Sequence, residues 1–68
     1  EIASLLREAQ SRGAWVRLDH VDDSGQARQS VVRVLAVASG AARCVHRGGG
    51  GMRIIPLPRM VRARLESA

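Results

Sequence analysis

Residues 27–37, Ala-Arg-Gln-Ser-Val-Val-Arg-Val-Leu-Ala-Val, carry the pattern that decides the fold. The β-branched residues Val31, Val32, Val34 and Val37 make this a strand. A half-buried strand alternates apolar and polar residues, because neighbours point to opposite faces. Here Val31-Val32 and Val34-Leu35 break that alternation. The core-facing side therefore changes along the segment. That predicts a bent strand, of the kind a sheet needs to curl into a barrel.

Shorter elements lie on both sides of it. Before it, residues 14–21 alternate as a strand, with Val16, Leu18 and His20 on one face and Trp15, Arg17 and Asp19 on the other. Asp22-Asp23-Ser24-Gly25 has the composition of a turn. Further upstream, Ile2, Leu5, Leu6 and Ala9 repeat at i, i+3, i+4 and i+7, which predicts an amphipathic helix over 2–12. Gly13 stops it, and Arg12 suits its last turn. So short a helix is marginal alone and has to dock its apolar stripe.

After residue 37, Ser39-Gly40 turns the chain into a third strand over 42–47, with Ala42, Cys44 and His46 opposite Arg43, Val45 and Arg47. Gly48 to Gly51 form a hairpin tip, and residues 52–57 form a fourth strand whose Pro56 sets its end at an edge or bulge. A tight turn at Pro58-Arg59-Met60 leads to a fifth strand over 61–65, with Val61, Ala63 and Leu65 inward and Arg62 and Arg64 outward. Residues 66–68 read as a frayed tail. The sum is mainly β: a small five-stranded Sm/SH3-like barrel with an N-terminal helix capping one end.

The chain has 68 residues, enough for one domain. A domain of this size buries only about 60% of the surface of its unfolded chain, which argues against a large enclosed active site. A chain opening on Glu1 rather than Met reads as a piece of a longer protein. No apolar run is long enough for a membrane span, and no secretion leader is visible; the expected setting is cytoplasmic, with no membrane partner. One cysteine excludes an internal disulfide.

Eleven basic residues face six acidic ones, a net charge of +5, and all eleven are arginine. The absence of lysine, with abundant Ala, Val and Gly, also fits a GC-rich genome that encodes Arg by default. The net charge favours a polyanionic partner. Arginine forks match phosphate and stack on bases.

No enzyme is expected. Cys44 and His46 share a strand face and His20 can join them, but a small buried cysteine is the plainer reading. Three strand-borne ligands fall short of a structural zinc site, so neither metal nor cofactor is expected. Asp19, Asp22 and Asp23 read as a strand end and its turn. The glycine run lacks the following helix and Lys-Ser or Lys-Thr ending of a phosphate loop. The arginines carry more. Arg43 and Arg47 share a face, Arg53 lies across the glycine hairpin, and Arg59 sits in the turn before the last strand. Trp15 is the sole aromatic, so it is either a stacking platform or a packing residue under the helix.

With these elements placed, the chain resembles a WYL domain, over about residues 2–65. The likeness is to the segment at the C-terminus of actinobacterial helicase-associated proteins and transcriptional regulators. It rests on the helix, the strand Trp-Val-Arg-Leu-Asp-His, the Asp-Ser-Gly turn and Ser30-Val-Val-Arg-Val-Leu-Ala-Val37. Above all it rests on Met52-Arg-Ile-Ile-Pro-Leu-Pro-Arg-Met60, set against the family's Arg-x-Phe-x-Leu-x-Arg-Ile. The Trp-Tyr-Leu triplet is absent near Arg43-Cys44-Val45. His20 stands where the family has Tyr, Val34 where it has Pro, and Ser30 where it has Arg, with Arg28 two residues away on the same face.

The resemblance implies a single Sm-type barrel domain over 1–68 that senses a ligand and regulates an attached DNA-binding or enzymatic domain. It further implies single-stranded DNA or RNA as that ligand. By the resemblance Arg53 and Arg59 would carry the contact, with His20 in the Tyr position; the residue pattern itself adds Arg43, Arg28 and Trp15 as candidate contacts. The competing expectation is a docking or dimerisation module, binding other domains of its parent protein or a second copy through its sheet edges.

Overall fold

The computed structural model describes residues 1–66. Helix α1 (Ile2–Arg12) precedes strands β1 (Trp15–Val21), β2 (Ala27–Ala38), β3 (Ala41–His46), β4 (Met52–Pro56) and β5 (Met60–Leu65); a single 3-10 turn, Leu57–Arg59, joins the last two. The strands form one antiparallel sheet in the order β4-β3-β2-β1-β5. Strands β4 and β5 stand at its two edges, and the sheet is not closed into a barrel.

The bend in β2 comes from its pairing. Residues 27–33 pair with β1, and residues 32–38 pair with β3. The two halves thus serve different neighbours and overlap only at Val32 and Arg33. A bulge lies between Val34 and Ala36: Val34 faces Cys44, Ala36 faces Arg43, and Leu35 is the extra residue. The bulge resets the alternation, so that Val32, Val34 and Val37 all join the core side while Leu35 is left exposed. Its carbonyl accepts from Gln10 Nε2 at 2.9 Å, which ties the helix to the bend. The doublet at Val31-Val32 is different. It is in regular register, with Val31 on the outer face and Val32 buried.

Tight turns join the strands. Ser39 and Gly40 both have positive φ, 55° and 75°, and link Ala38 to Ala41 as a two-residue hairpin whose twist matches that of the strands. At the β1–β2 hairpin, Asp22 Oδ1 accepts from the Ser24 amide, the Ser24 hydroxyl and the Gln26 amide.

The core is entirely apolar. Leu6 and Ala9 of α1 pack with Val16, Leu18, Val32, Val34, Ala42, Cys44, Ile55 and Met60. The helix ends on Gly13 in the left-handed conformation (φ 64°) and rests against β2 and β5. Burial raises the Cys44 thiol to about 11, so Cys44 is a core residue and not an activated nucleophile.

Two expectations need correction. Val61 is 67% exposed, and Met60 takes the inward place instead. The β1–β5 register shifts here: Asp19 faces Arg62 but His20 faces Met60, so Val61 is bulged out. Glu66 is no frayed end, since its amide donates to the Trp15 carbonyl and its carboxylate binds Arg17 and Arg47. The rest of the expected tail, residues 67 and 68, lies outside the described residues.

Candidate functional site

The inner face of the sheet changes character from one end to the other. Along β1 it runs Val16, Leu18, His20; along β2, read backwards, Val32, Ser30, Arg28; along β3, Ala42, Cys44, His46; along β4, read backwards, Ile55, Arg53. Residues directly opposite in an antiparallel pair share a face, so each apolar row ends in polar side chains. The helix covers the apolar part. The polar part is left open and forms a cavity of about 550 Å³. It lies between β4 and the first half of β2, beyond the end of β3. Its lining includes His20, Arg28, Ser30, His46, Arg53 and Arg59, with Asp22 and Asp23 on the rim and Ile55 among its apolar residues. This volume is within the usual range for small-ligand sites, ~300–1,000 Å³.

Two of the three arginines already hold a carboxylate. Arg28 Nε donates to Asp22 Oδ2 at 2.7 Å, and Arg59 Nη1 donates to Asp23 Oδ1. The two carboxylates differ. Asp22 is locked into its turn and held well below the usual carboxylate range, first by the Ser24 hydroxyl, then by Arg28 and the Gln26 and Ser24 amides. Asp23 is 96% exposed, and Arg59 is its one side-chain partner among the described residues. Arg53 has no ion-pair partner among the described residues, which leaves its guanidinium open to an incoming anion.

His20 Nε2 and Ser30 Oγ share a hydrogen bond at 3.0 Å. The His20 pKa is lowered from 6.5, first by burial and then by the facing His46 and by Arg28, against the raising effect of Asp22 and Asp19. Imidazoles beside arginines present flat rings as well as hydrogen-bonding groups, and both suit unstacked bases. The Ser30–His20 pair lacks the third group of a catalytic triad: among the described residues no carboxylate hydrogen-bonds the His20 ring. No cluster of three or more His, Cys, Asp or Glu among the described residues has the arrangement of a metal site.

Of the six residues singled out from sequence, His20, Arg28, Arg53 and Arg59 come together in this cavity. Arg43 and Trp15 do not. Arg53 faces Cys44, so it points to the inner side, whereas Arg43 faces Ile54 on the outer side. The arginines that hairpin connectivity makes neighbours, Arg43 and Arg53, therefore lie on opposite faces of the sheet. Trp15 lies on the outer face, not under the helix. The Arg33 guanidinium stacks 4.5 Å from its ring centroid and that of Arg47 sits 5.9 Å away. Sequence reasoning did not place Ser30 and His46 at the site, nor Asp23 on Arg59. Alternation carried past the buried residues of β2 and β3 reaches Ser30 and His46; nothing in the sequence joins residue 23 to residue 59.

No helix among the described residues is long and apolar enough to cross a membrane. Comparison with protein-family models, with curated proteins and with solved structures finds no match to this chain.

Proposed function

We propose that this chain is a non-catalytic ligand-sensing module whose inner-face cavity binds the phosphate backbone of single-stranded nucleic acid. On this reading the coiled sheet is an Sm/SH3-like barrel of WYL type, left open between its edge strands. Its parent is a cytoplasmic DNA helicase or transcription regulator. One observation carries the proposal: His20, Arg28, Arg53 and Arg59, drawn from three strands and a turn, converge on one open cavity. Arg53 is unpaired among the described residues, and two neighbouring arginines are occupied by carboxylates that a phosphate can replace. Bases would lie against the imidazoles and arginine planes, the flat groups at the cavity.

The test is fluorescence anisotropy with labelled single-stranded oligonucleotides at low and moderate salt. Binding should fall with a slope of about −0.7 per phosphate contact in log K against log salt. Arg53→Ala with Arg59→Ala should remove it. Absence of binding by the wild type at low salt rejects the reading.

A docking module is the second reading, supported by the edges. Met52 and Ile54 on β4 and Val61 on β5 are all more than half exposed, on the two strands with an unpaired side. Such edges pair readily with another strand, from the parent protein or a second copy. Salt-insensitive self-association in sedimentation would favour this reading over the first.

A further inference from the structure

The net charge of this protein is not spread over its surface. The helix segment is balanced, with Arg7 and Arg12 against Glu1 and Glu8. The cavity carries three arginines against Asp22 and Asp23, an excess of one. The remaining four of the five positive charges lie on the outer face of the sheet. There Arg17, Arg33, Arg43, Arg47, Arg62 and Arg64 meet only Asp19 and Glu66.

Solubility alone does not explain this placement, which works against the fold. Arg17 and Arg64 stand directly opposite each other across β1 and β5, and like charges so placed destabilise a sheet. Glu66 offsets part of this by binding Arg17 at 3.0 Å and Arg47 at 3.2 Å. Arg33, Arg43, Arg62 and Arg64 have no ion-pair partner among the described residues.

We infer that the outer sheet face is a second binding surface, distinct from the inner cavity, and that its ligand is the phosphate backbone of a nucleic-acid duplex. The arginines stand on four adjacent strands, β3-β2-β1-β5, so three interstrand steps of about 4.8 Å spread them over about 14 Å. That is comparable to the width of a duplex major groove, about 12 Å. A single strand offers bases to be stacked, but the one aromatic on this face is already covered by Arg33. The surface therefore fits paired phosphates better than unstacked bases. It gives charge contacts and no base readout, so binding is independent of sequence.

The experiment uses a short labelled duplex, with Trp15 emission as a second signal from the face itself. Arg62→Ala with Arg64→Ala should weaken duplex binding and lower the salt slope by about 1.8, at about 0.9 for each phosphate no longer neutralised. Arg62→Lys with Arg64→Lys keeps the charge and should retain most of the binding, which separates the removal of charge from a failure to fold. Arg53→Ala with Arg59→Ala should leave duplex binding and the Trp15 response unchanged, whether or not the cavity binds single strands. The inference is overturned if duplex binding is absent at low salt, if it depends equally on Arg53 and Arg59, or if poly-glutamate binds this face more tightly than the duplex does. That last outcome assigns the face to an acidic protein partner.

Discussion

The inner cavity and the outer face use the same side chain in opposite ways. In the cavity, two of three arginines are matched by carboxylates, and His20 is hydrogen-bonded to Ser30. On the outer face six arginines share two carboxylates, and two arginines confront each other. A matched site is quiet until a ligand displaces its internal partner, and it discriminates by shape. An unmatched face attracts any dense array of phosphates and loses that attraction as salt rises. The difference shows that a net charge of +5 says little until each charge has been assigned to a face.

The largest expected effect removes the support both regions share. Leu18 is fully buried, directly between His20 and Val16 on β1. Leu18→Ala should cost about 2–5 kcal/mol, read by urea unfolding, a large share of the stability of so small a domain. If both binding activities survive that substitution at full strength, the core is not what positions them.

Acidity should separate the two regions. The His20 pKa in the folded protein lies below 6.5, so the unfolded chain binds more protons between the two values. The stability linked to His20 is complete above 6.5 and declines as the pH falls from there toward the folded value. As the pH falls further, through the folded value, His20 becomes protonated beside His46, Arg28, Asp22 and Asp19 and adds positive charge at the cavity. Single-strand affinity should rise on acidification while duplex affinity stays level. A parallel rise in both would erase the distinction.

Asp23 sharpens the contrast from the other side. Its exposed carboxylate holds Arg59, so under the proposed function Asp23→Asn should strengthen single-strand binding by up to about fivefold, the range of an exposed ion pair. Weaker binding would mean that Asp23 holds Arg59 in its productive position. The smallest effect is expected at Glu66, where Glu66→Gln releases Arg17 and Arg47. Duplex affinity should rise modestly, and the melting temperature should fall slightly in thermal unfolding.

Much of the fold was legible in the residues. The helix over 2–12 coincides with α1, because the spacing of Ile2, Leu5, Leu6 and Ala9 and the stop at Gly13 are local signals. The faces of β1 and β3 follow from alternation. The irregular stretch at Val34-Leu35 is a bulge, and the broken pattern is its signature. Val61 failed because a bulge within one residue of a strand start leaves no comparable break: Val61, Ala63 and Leu65 alternate well, and only pairing with β1 reveals that Met60 takes the inward place. The site was legible as residue types, not as an assembly. Alternation on β3 sets Arg43 opposite Cys44, but Met52-Arg53-Ile54-Ile55 does not alternate cleanly, and the β3–β4 register is what pairs Arg53 with Cys44 and sends it inward.

By itself, then, the sequence determined the element order, the apolar stripe of the helix, the alternating faces and the excess of arginine. These depend on periods of two and 3.6 residues and on local turn chemistry, which a chain carries wherever it folds. Tertiary structure alone decided which neighbour each half of β2 pairs with, the open edges at β4 and β5, the meeting of Asp23 with Arg59 and the division of the arginines between two faces. Each of these joins residues far apart in the chain, and interstrand register, set by bulges and the burial of the whole core, determines which of them meet.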